Sequence, residues 1–182
     1  MTIIAGYRSK NGKKAWLASD SIGSAETHLE DYGNKIISRK NWICGLAGSY
    51  RAFDLIKESP ELNIDLHGIS GIRTFRDTLK QIRIEDGSIG QSSDTETIVH
   101  DVNLLVSYEG LLFVLETDYQ IHKISKNGII TAGSGYAYAS GALFAGLRNG
   151  IVGRDLVKLG VEASKKYHAL CGGRTFIRST EK

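Results

Sequence analysis

The chain has 182 residues, 41% hydrophobic and 24% charged, with a net charge of +3 and a pI near 8.8. That is enough length for one domain with a real core, and the composition excludes wholesale disorder. The positive charge is scattered in pairs such as Lys13–Lys14, Arg39–Lys40 and Lys165–Lys166, without a basic stripe and interleaved aromatics, so no nucleic-acid partner is expected. No uncharged apolar run approaches the ~20 residues that span a bilayer, and the opening Met1-Thr2-Ile3-Ile4-Ala5-Gly6 lacks the regions of a secretory signal. Cys44 and Cys171, the only cysteines, form neither a disulfide framework nor a zinc spacing. A cytoplasmic protein without metal, cofactor or membrane contact is the expectation.

In chain order, Thr2 to Tyr7 reads as a strand, Asn11-Gly12 as a hairpin turn and Ala15 to Ser19 as the returning strand. Lys35 to Ser38 and Trp42 to Leu46 pair around Arg39-Lys40-Asn41. Ser49 is an N-cap for a helix over Tyr50 to Glu58, and Ile72, Phe75, Leu79, Ile82 and Ile84 mark a helical stripe through 71–85. The stretch 86–95 reads as an exposed loop. Three strands follow, Val102 to Val106, Leu111 to Glu116 and Gln120 to Ile124, turning at Glu109-Gly110 and Thr117-Asp118. Gly133-Ser134-Gly135 precedes a helix over Tyr136 to Leu147. A second helix covers Arg154 to Tyr167, and Thr175 to Ile177 is a last strand. Strands and helices come in blocks, so the order disfavours a doubly wound parallel sheet and fits two sheets covered by helices.

Chemistry is suggested at several points. Removal of Met1 leaves a threonine carrying both a hydroxyl and an α-amine, whose ordinary pKa of roughly 8 suits a general base. Asp20 follows a strand and is either a turn residue or an acid that holds a cation. Lys35 is either a solvated strand-opening lysine or a buried charge that lowers the pKa of a neighbouring amine, with Asp20 compensating it. Gly45-Leu46-Ala47-Gly48-Ser49 joins a strand to a helix. It is either a structural turn or a place where backbone N–H groups meet a developing oxyanion. Gly133-Ser134-Gly135 has the same character and lacks the further residues of a phosphate loop. The five histidines show no metal spacing.

In this order and spacing the pieces resemble the proteasome β-subunit family and its bacterial two-ring relatives, among the N-terminal-nucleophile hydrolases. Thr2-Ile3-Ile4-Ala5-Gly6 is similar to that family's mature N-terminus, and Ala18-Ser19-Asp20-Ser21-Ile22-Gly23-Ser24-Ala25 to its Asp-Ser-x-x-Thr-Ala motif. Asn34-Lys35-Ile36-Ile37 is similar to its lysine segment, Gly45 to Ser49 to its oxyanion segment, and Gly133-Ser134-Gly135 with Tyr138-Ala139-Ser140-Gly141 to its Gly-Ser-Gly element. The resemblance implies one α+β domain over 1–182, a four-layer αββα sandwich of two antiparallel sheets between helix layers. It implies a threonine-type peptidase with Thr2 as nucleophile, Asp20 as structural acid, Lys35 as the tuning cation and Ser134 as partner of the amine. Gly48, with Ala47 and Ser49 beside it, would supply the oxyanion donors, and Ser24 a contact for bound peptide. It further implies a peptide or unfolded-protein substrate, a homo-oligomeric ring and an ATP-dependent unfoldase as partner. The chain departs from the pattern near its C-terminus, where His168 and Cys171 stand in place of the family's acid and serine. A catalytically silent ring subunit of the same fold and a small-substrate amidase are the alternatives.

Overall fold

The computed structural model describes residues 2–25, 28–87 and 102–182, with the backbone alone for 24, 25 and 28. The first hairpin pairs β1 (Ile4–Arg8) with β2 (Lys14–Ser19). Its turn uses Gly12 at φ +72°, where glycine carries no steric penalty, and the Asn11 Oδ1 accepts the Lys13 N–H at 3.0 Å. A small ribbon of β3 (Ile22–Ala25) and β4 (His28–Asp31) follows. Then come β5 (Ile36–Arg39), β6 (Trp42–Gly48), α1 (Tyr50–Glu58), a 3₁₀ turn at Pro60–Leu62 and α2 (Ser70–Glu85). After the predicted loop, most of which lies outside the described residues, the chain forms β7 (Val102–Tyr108), β8 (Leu111–Leu115), β9 (Ile121–Lys123) and β10 (Ile129–Ala132). The last elements are α3 (Tyr136–Arg148), α4 (Gly153–Tyr167) and β11 (Phe176–Glu181). No helix among the described residues is long and apolar enough to cross a membrane.

Two antiparallel sheets run in the orders β10-β1-β2-β11 and β5-β6-β7-β8-β9. Strand alternation directs their side chains into three apolar layers. Trp42, Cys44 and Leu46 of β6, with Leu104 and Val106 of β7, face Ala52 and Ile56 of α1 and Ile72, Phe75 and Leu79 of α2. Ile3, Ala5 and Tyr7 face Ala139 and Leu143 of α3 and Leu156, Val157 and Val161 of α4. Between the sheets lie Ile4, Leu17, Ile43, Ala47, Leu105, Leu112 and Val114. Both faces of the central strands are therefore covered, which explains why Ile3 to Tyr7 and Leu104 to Val106 read as continuous apolar runs. The result is the αββα sandwich that the family resemblance implies.

The sequence reading missed β3, β4, β10 and the 3₁₀ turn at Pro60–Leu62. The β3–β4 ribbon lacks an apolar alternation, and β10 is a four-residue run between Gly128 and Gly133 that gains its identity by pairing with β1. β11 extends past the apolar Phe176-Ile177 into Arg178-Ser179-Thr180-Glu181, all paired with β2. Polar side chains suit such a strand at a sheet edge.

The sheets approach closely at Gly45, where an added Cβ would lie 2.7 Å from the Cγ2 of Ile4. Ile4 is fully buried and β-branched, so it has little room to yield. Gly45→Ala is expected to destabilise the fold by about 1–3 kcal/mol through overpacking, read as a lower urea midpoint with an unchanged slope.

Candidate active site

The site forms where strand ends of both sheets converge. The β1–β2 register pairs Ile4 with Ser19, so Thr2 and Asp20 meet just beyond the ladder. Asp20 N–H donates to the Ile3 carbonyl at 3.4 Å, and Ile3 N–H donates back to Asp20 Oδ1 at 3.1 Å. On the other sheet, Ile36 pairs with Gly45 and Leu46 N–H donates to the Lys35 carbonyl at 3.3 Å. Lys35 thus enters from the start of β5 while Gly48 ends β6.

The Thr2 hydroxyl donates to Asp20 Oδ1 at 2.8 Å. The Lys35 ammonium donates to the same Oδ1 at 2.8 Å, to Thr2 Oγ1 and to the Ile22 carbonyl, which occupies its three protons. Asp20 Oδ2 accepts the Gly172 N–H at 3.1 Å. Asp20 is wholly buried, Lys35 is 3% exposed and Thr2 is 5% exposed. Burial pushes the Lys35 ammonium below its ordinary pKa, and the Asp20 carboxylate against it offsets part of that shift. The pair is a desolvated ion pair whose remaining hydrogen-bonding capacity is filled.

The other expected residues surround this centre. Gly48 lines the cavity beside Thr2 at φ +145°, a conformation glycine tolerates. Ser49 is the N-cap of α1 without a side-chain cap bond, and its carbonyl accepts the Phe53 N–H at 3.3 Å. The Ala47 methyl points into the inter-sheet core, which leaves its backbone for the site. Ser24 lies on β3 opposite Leu29. Gly133, at φ +101°, sits against the Thr2 carbonyl with no space for a side chain, and Ser134 Oγ reaches that carbonyl at 3.5 Å.

His168 and Cys171 adjoin the same centre. Cys171 Sγ is 3.6 Å from His168 Nδ1 and within hydrogen-bonding reach of the Ser134 hydroxyl. Because His168 Nδ1 also accepts the Leu170 N–H at 3.3 Å, the thiol is the donor toward it. Burial, with Asp20 nearby, pushes the Cys171 thiol up to about 11. Burial raises Cys44 further. At pH 8 the native chain is therefore expected to react with iodoacetamide about 100-fold more slowly than an exposed thiol. Mass spectrometry should find both cysteines labelled rapidly only after unfolding.

Sequence reasoning missed several contributors. The Gly172 N–H holds Asp20, and the Gly172 carbonyl accepts the N–H groups of Ser21 and Ile22 at 3.2 and 3.4 Å. Ser21 Oγ accepts the Arg174 N–H at 2.9 Å. Gly173 at φ +71° lets this loop lie on Ser21. Tyr32, Tyr50 and Phe53, which line the cavity, carry no motif.

Two antiparallel sheets between helix layers, with a threonine heading the first strand and a buried Asp–Lys pair on its hydroxyl, define the N-terminal-nucleophile hydrolase fold. More particularly, this is its proteasome β-like form. BPH, the bacterial proteasome homologue of Thiobacillus denitrificans, has been solved in complex with epoxomicin. It is 20% identical over 98% of each chain, with a TM-score of 0.77. BPH alone matches at the same identity and TM-score over 98% of this chain and 97% of its own. Eukaryotic HslV from Trypanosoma brucei is 17% identical over the full length of both chains, with a TM-score of 0.65. At these identities the likeness is one of fold. No family model matches the sequence, nor does any curated protein.

Proposed function

We propose that the chain is a threonine-type amide-bond hydrolase acting on peptides or unfolded protein, as a single domain with Thr2 as its nucleophile once Met1 is removed. The observation that carries this reading is the Thr2 hydroxyl held between the Asp20 carboxylate and the Lys35 ammonium. Thr2 Oγ1 attacks the carbonyl carbon and its proton passes to the α-amine, directly or through a water. The Lys35 charge keeps that amine neutral and reactive and stabilises negative charge growing on Oγ1. The Gly48 N–H, with the backbone of Ala47 and Ser49 shaping the turn, receives the oxyanion. Ser134 orders the amine or the water, and Ser24 on β3 offers backbone to an extended substrate. The adduct collapses as the C–N bond breaks, the α-ammonium giving its proton to the leaving amine, and water then hydrolyses the ester to restore Thr2.

Assembly into a homo-oligomeric ring, served by an ATP-dependent unfoldase, belongs to the same proposal. The outer face of α3 supports a subunit contact, since Phe144 is 62% and Tyr136 60% exposed beside exposed Ala137, Gly141 and Ala145. Sedimentation velocity should show a multiple of the chain mass.

A silent subunit of the same fold is the second reading, favoured by His168 and Cys171 where the resemblance places an acid and a serine. The deciding experiment uses intact mass and epoxomicin. Trimming lowers the mass by ~131 Da and frees the amine. An α′,β′-epoxyketone gives a hydroxyl and a neighbouring amine one carbon each to attack, so an adduct on Thr2 requires both groups. An adduct at Thr2, absent in Thr2→Ala, supports the hydrolase. Retained Met1 in protein from its native host, with no adduct, supports the silent subunit.

A further inference from the structure

The β1–β2 turn and the start of α4 meet at the end of the first sheet opposite Thr2. At ~3.3 Å per strand residue, β1 carries the chain about 20 Å away from Thr2 before it turns at Ser9. A groove of about 610 Å³ opens there, between the hairpin residues Ser9, Lys10 and Asn11 and the α4 residues Gly153 and Arg154. Lys10, Asn11, Val152 and Arg154 on its rim are all exposed, so it is open to solvent.

The floor of the groove is apolar. Trp16 of β2 lines it, stacked on the buried Tyr7 with ring centroids 5.7 Å apart and planes at 21°. Gly153 begins α4 at φ +65°, and an added Cβ there would lie 3.3 Å from Cζ2 of Trp16. The helix start therefore rests against the indole, while Val152 just before it is 55% exposed.

The rim is cationic. Lys10 stands on the hairpin wall and Arg154 on the helix wall, and neither has an ion-pair partner among the described residues. The Lys14 ammonium lies 5.7 Å from the centre of the Trp16 ring. Lys13 belongs to the same hairpin, and the Lys126 side chain lies against Gly12. Folding thus gathers at this end lysines that are scattered in the sequence. Two carboxylates temper the charge: Glu181, held by Lys14 at 2.9 Å, and Asp155 in the first turn of α4. An apolar floor between opposed cations complements an anion that carries an apolar side chain, and an open groove suits a chain segment better than an enclosed small molecule.

We propose that this groove docks an acidic peptide segment of a partner protein, with one aromatic or aliphatic side chain against Trp16 and Val152 and flanking carboxylates meeting Lys10 and Arg154. The proposal is independent of the hydrolase reading, since the groove and the cavity beside Thr2 share no lining residue.

The two tryptophans of the chain give a local readout by NMR of the full chain. Trp42, whose indole N–H donates to the Ile64 carbonyl at 3.0 Å in the other helix–sheet layer, is the internal reference. A capped pentapeptide with phenylalanine between two pairs of glutamates is expected to shift the Trp16 indole signal and leave that of Trp42 in place. Replacing its phenylalanine by glycine should weaken binding about 10-fold, and replacing its glutamates by lysines should abolish it. Lys10→Glu combined with Arg154→Glu, both at exposed positions, should weaken the glutamate peptide at least ~10-fold, with the Trp42 signal unmoved as the check that the variant is folded. The proposal is overturned by an unshifted Trp16 signal at millimolar peptide, by equal binding of the glutamate and lysine peptides, by a glycine version as tight as the phenylalanine one, or by an affinity indifferent to the double reversal. Tighter binding of pentathymidylate, which carries the same charge, or equal binding of phenylacetate alone, overturns it in favour of a nucleic-acid surface or a small-molecule site.

Discussion

On the proposed hydrolase reading, Thr2→Ala is expected to lower peptide hydrolysis by about 10⁴-fold, because nucleophile and base would act as one unit and removing the hydroxyl would disable both acylation and release. The fold should survive. Asp20 keeps Lys35, the Ile3 N–H and the Gly172 N–H when the threonine hydroxyl is gone, so the loss in stability is about 3 kcal/mol, that of the hydroxyl's bond to Asp20 and of the one it accepts from Lys35. Thr2→Ser retains the attacking oxygen and should keep measurable turnover. Initial rates on a fluorogenic peptide, with thermal melts of the same samples, separate these effects. Activity unchanged in Thr2→Ala would place the chemistry elsewhere.

Lys35→Met should damage both stability and activity. It leaves the Asp20 carboxylate wholly buried without its cation, and breaking one side of such a pair costs about 3–5 kcal/mol. Urea denaturation at pH 7 reads this directly. Asp20→Asn combined with Lys35→Met should recover part of the loss, since no uncompensated charge remains. The pH dependence gives a second signature. The native Lys35 ammonium is depressed below its ordinary 10.5, so within the window ending at that value the unfolded chain binds more protons. The lysine's contribution to stability therefore rises with pH there. Relative to Lys35→Met, the wild-type stability should climb through that alkaline window. A parallel pair of curves would show that Lys35 is not depressed.

What was legible in the sequence follows a physical divide. Local chemistry was readable: Asn11-Gly12 specifies its own turn, and the apolar runs of β1, β6 and β7 announce strands covered on both faces. The relation among Thr2, Asp20 and Lys35 was readable only through order and spacing, since no local property of Lys35 reveals burial. The contributions of Gly172 and Tyr50 were not readable. Gly172 acts through a backbone N–H, which every residue but proline possesses, and its value comes from lying beside Asp20 across 152 residues of chain. Tyr50 reads as an ordinary first residue of a helix, and its part in the cavity comes from stacking on Tyr32 across the gap between β6 and the β3–β4 ribbon. β10 was missed for the same reason, because its partner strand lies at the other end of the sequence.

The hydrogen bond from Gly172 to Asp20 also bears on how the protein is made. Thr2 leaves the ribosome well before Gly172, which follows only after more than 150 others. Until that segment emerges, Asp20 lacks the Gly172 N–H, and β2 lacks its β11 neighbour. On the proposed chemistry, the nascent chain carries its nucleophile in an unfinished setting until the Gly172 segment has been made. Timing of synthesis thereby delays competence until the fold that encloses it is nearly complete.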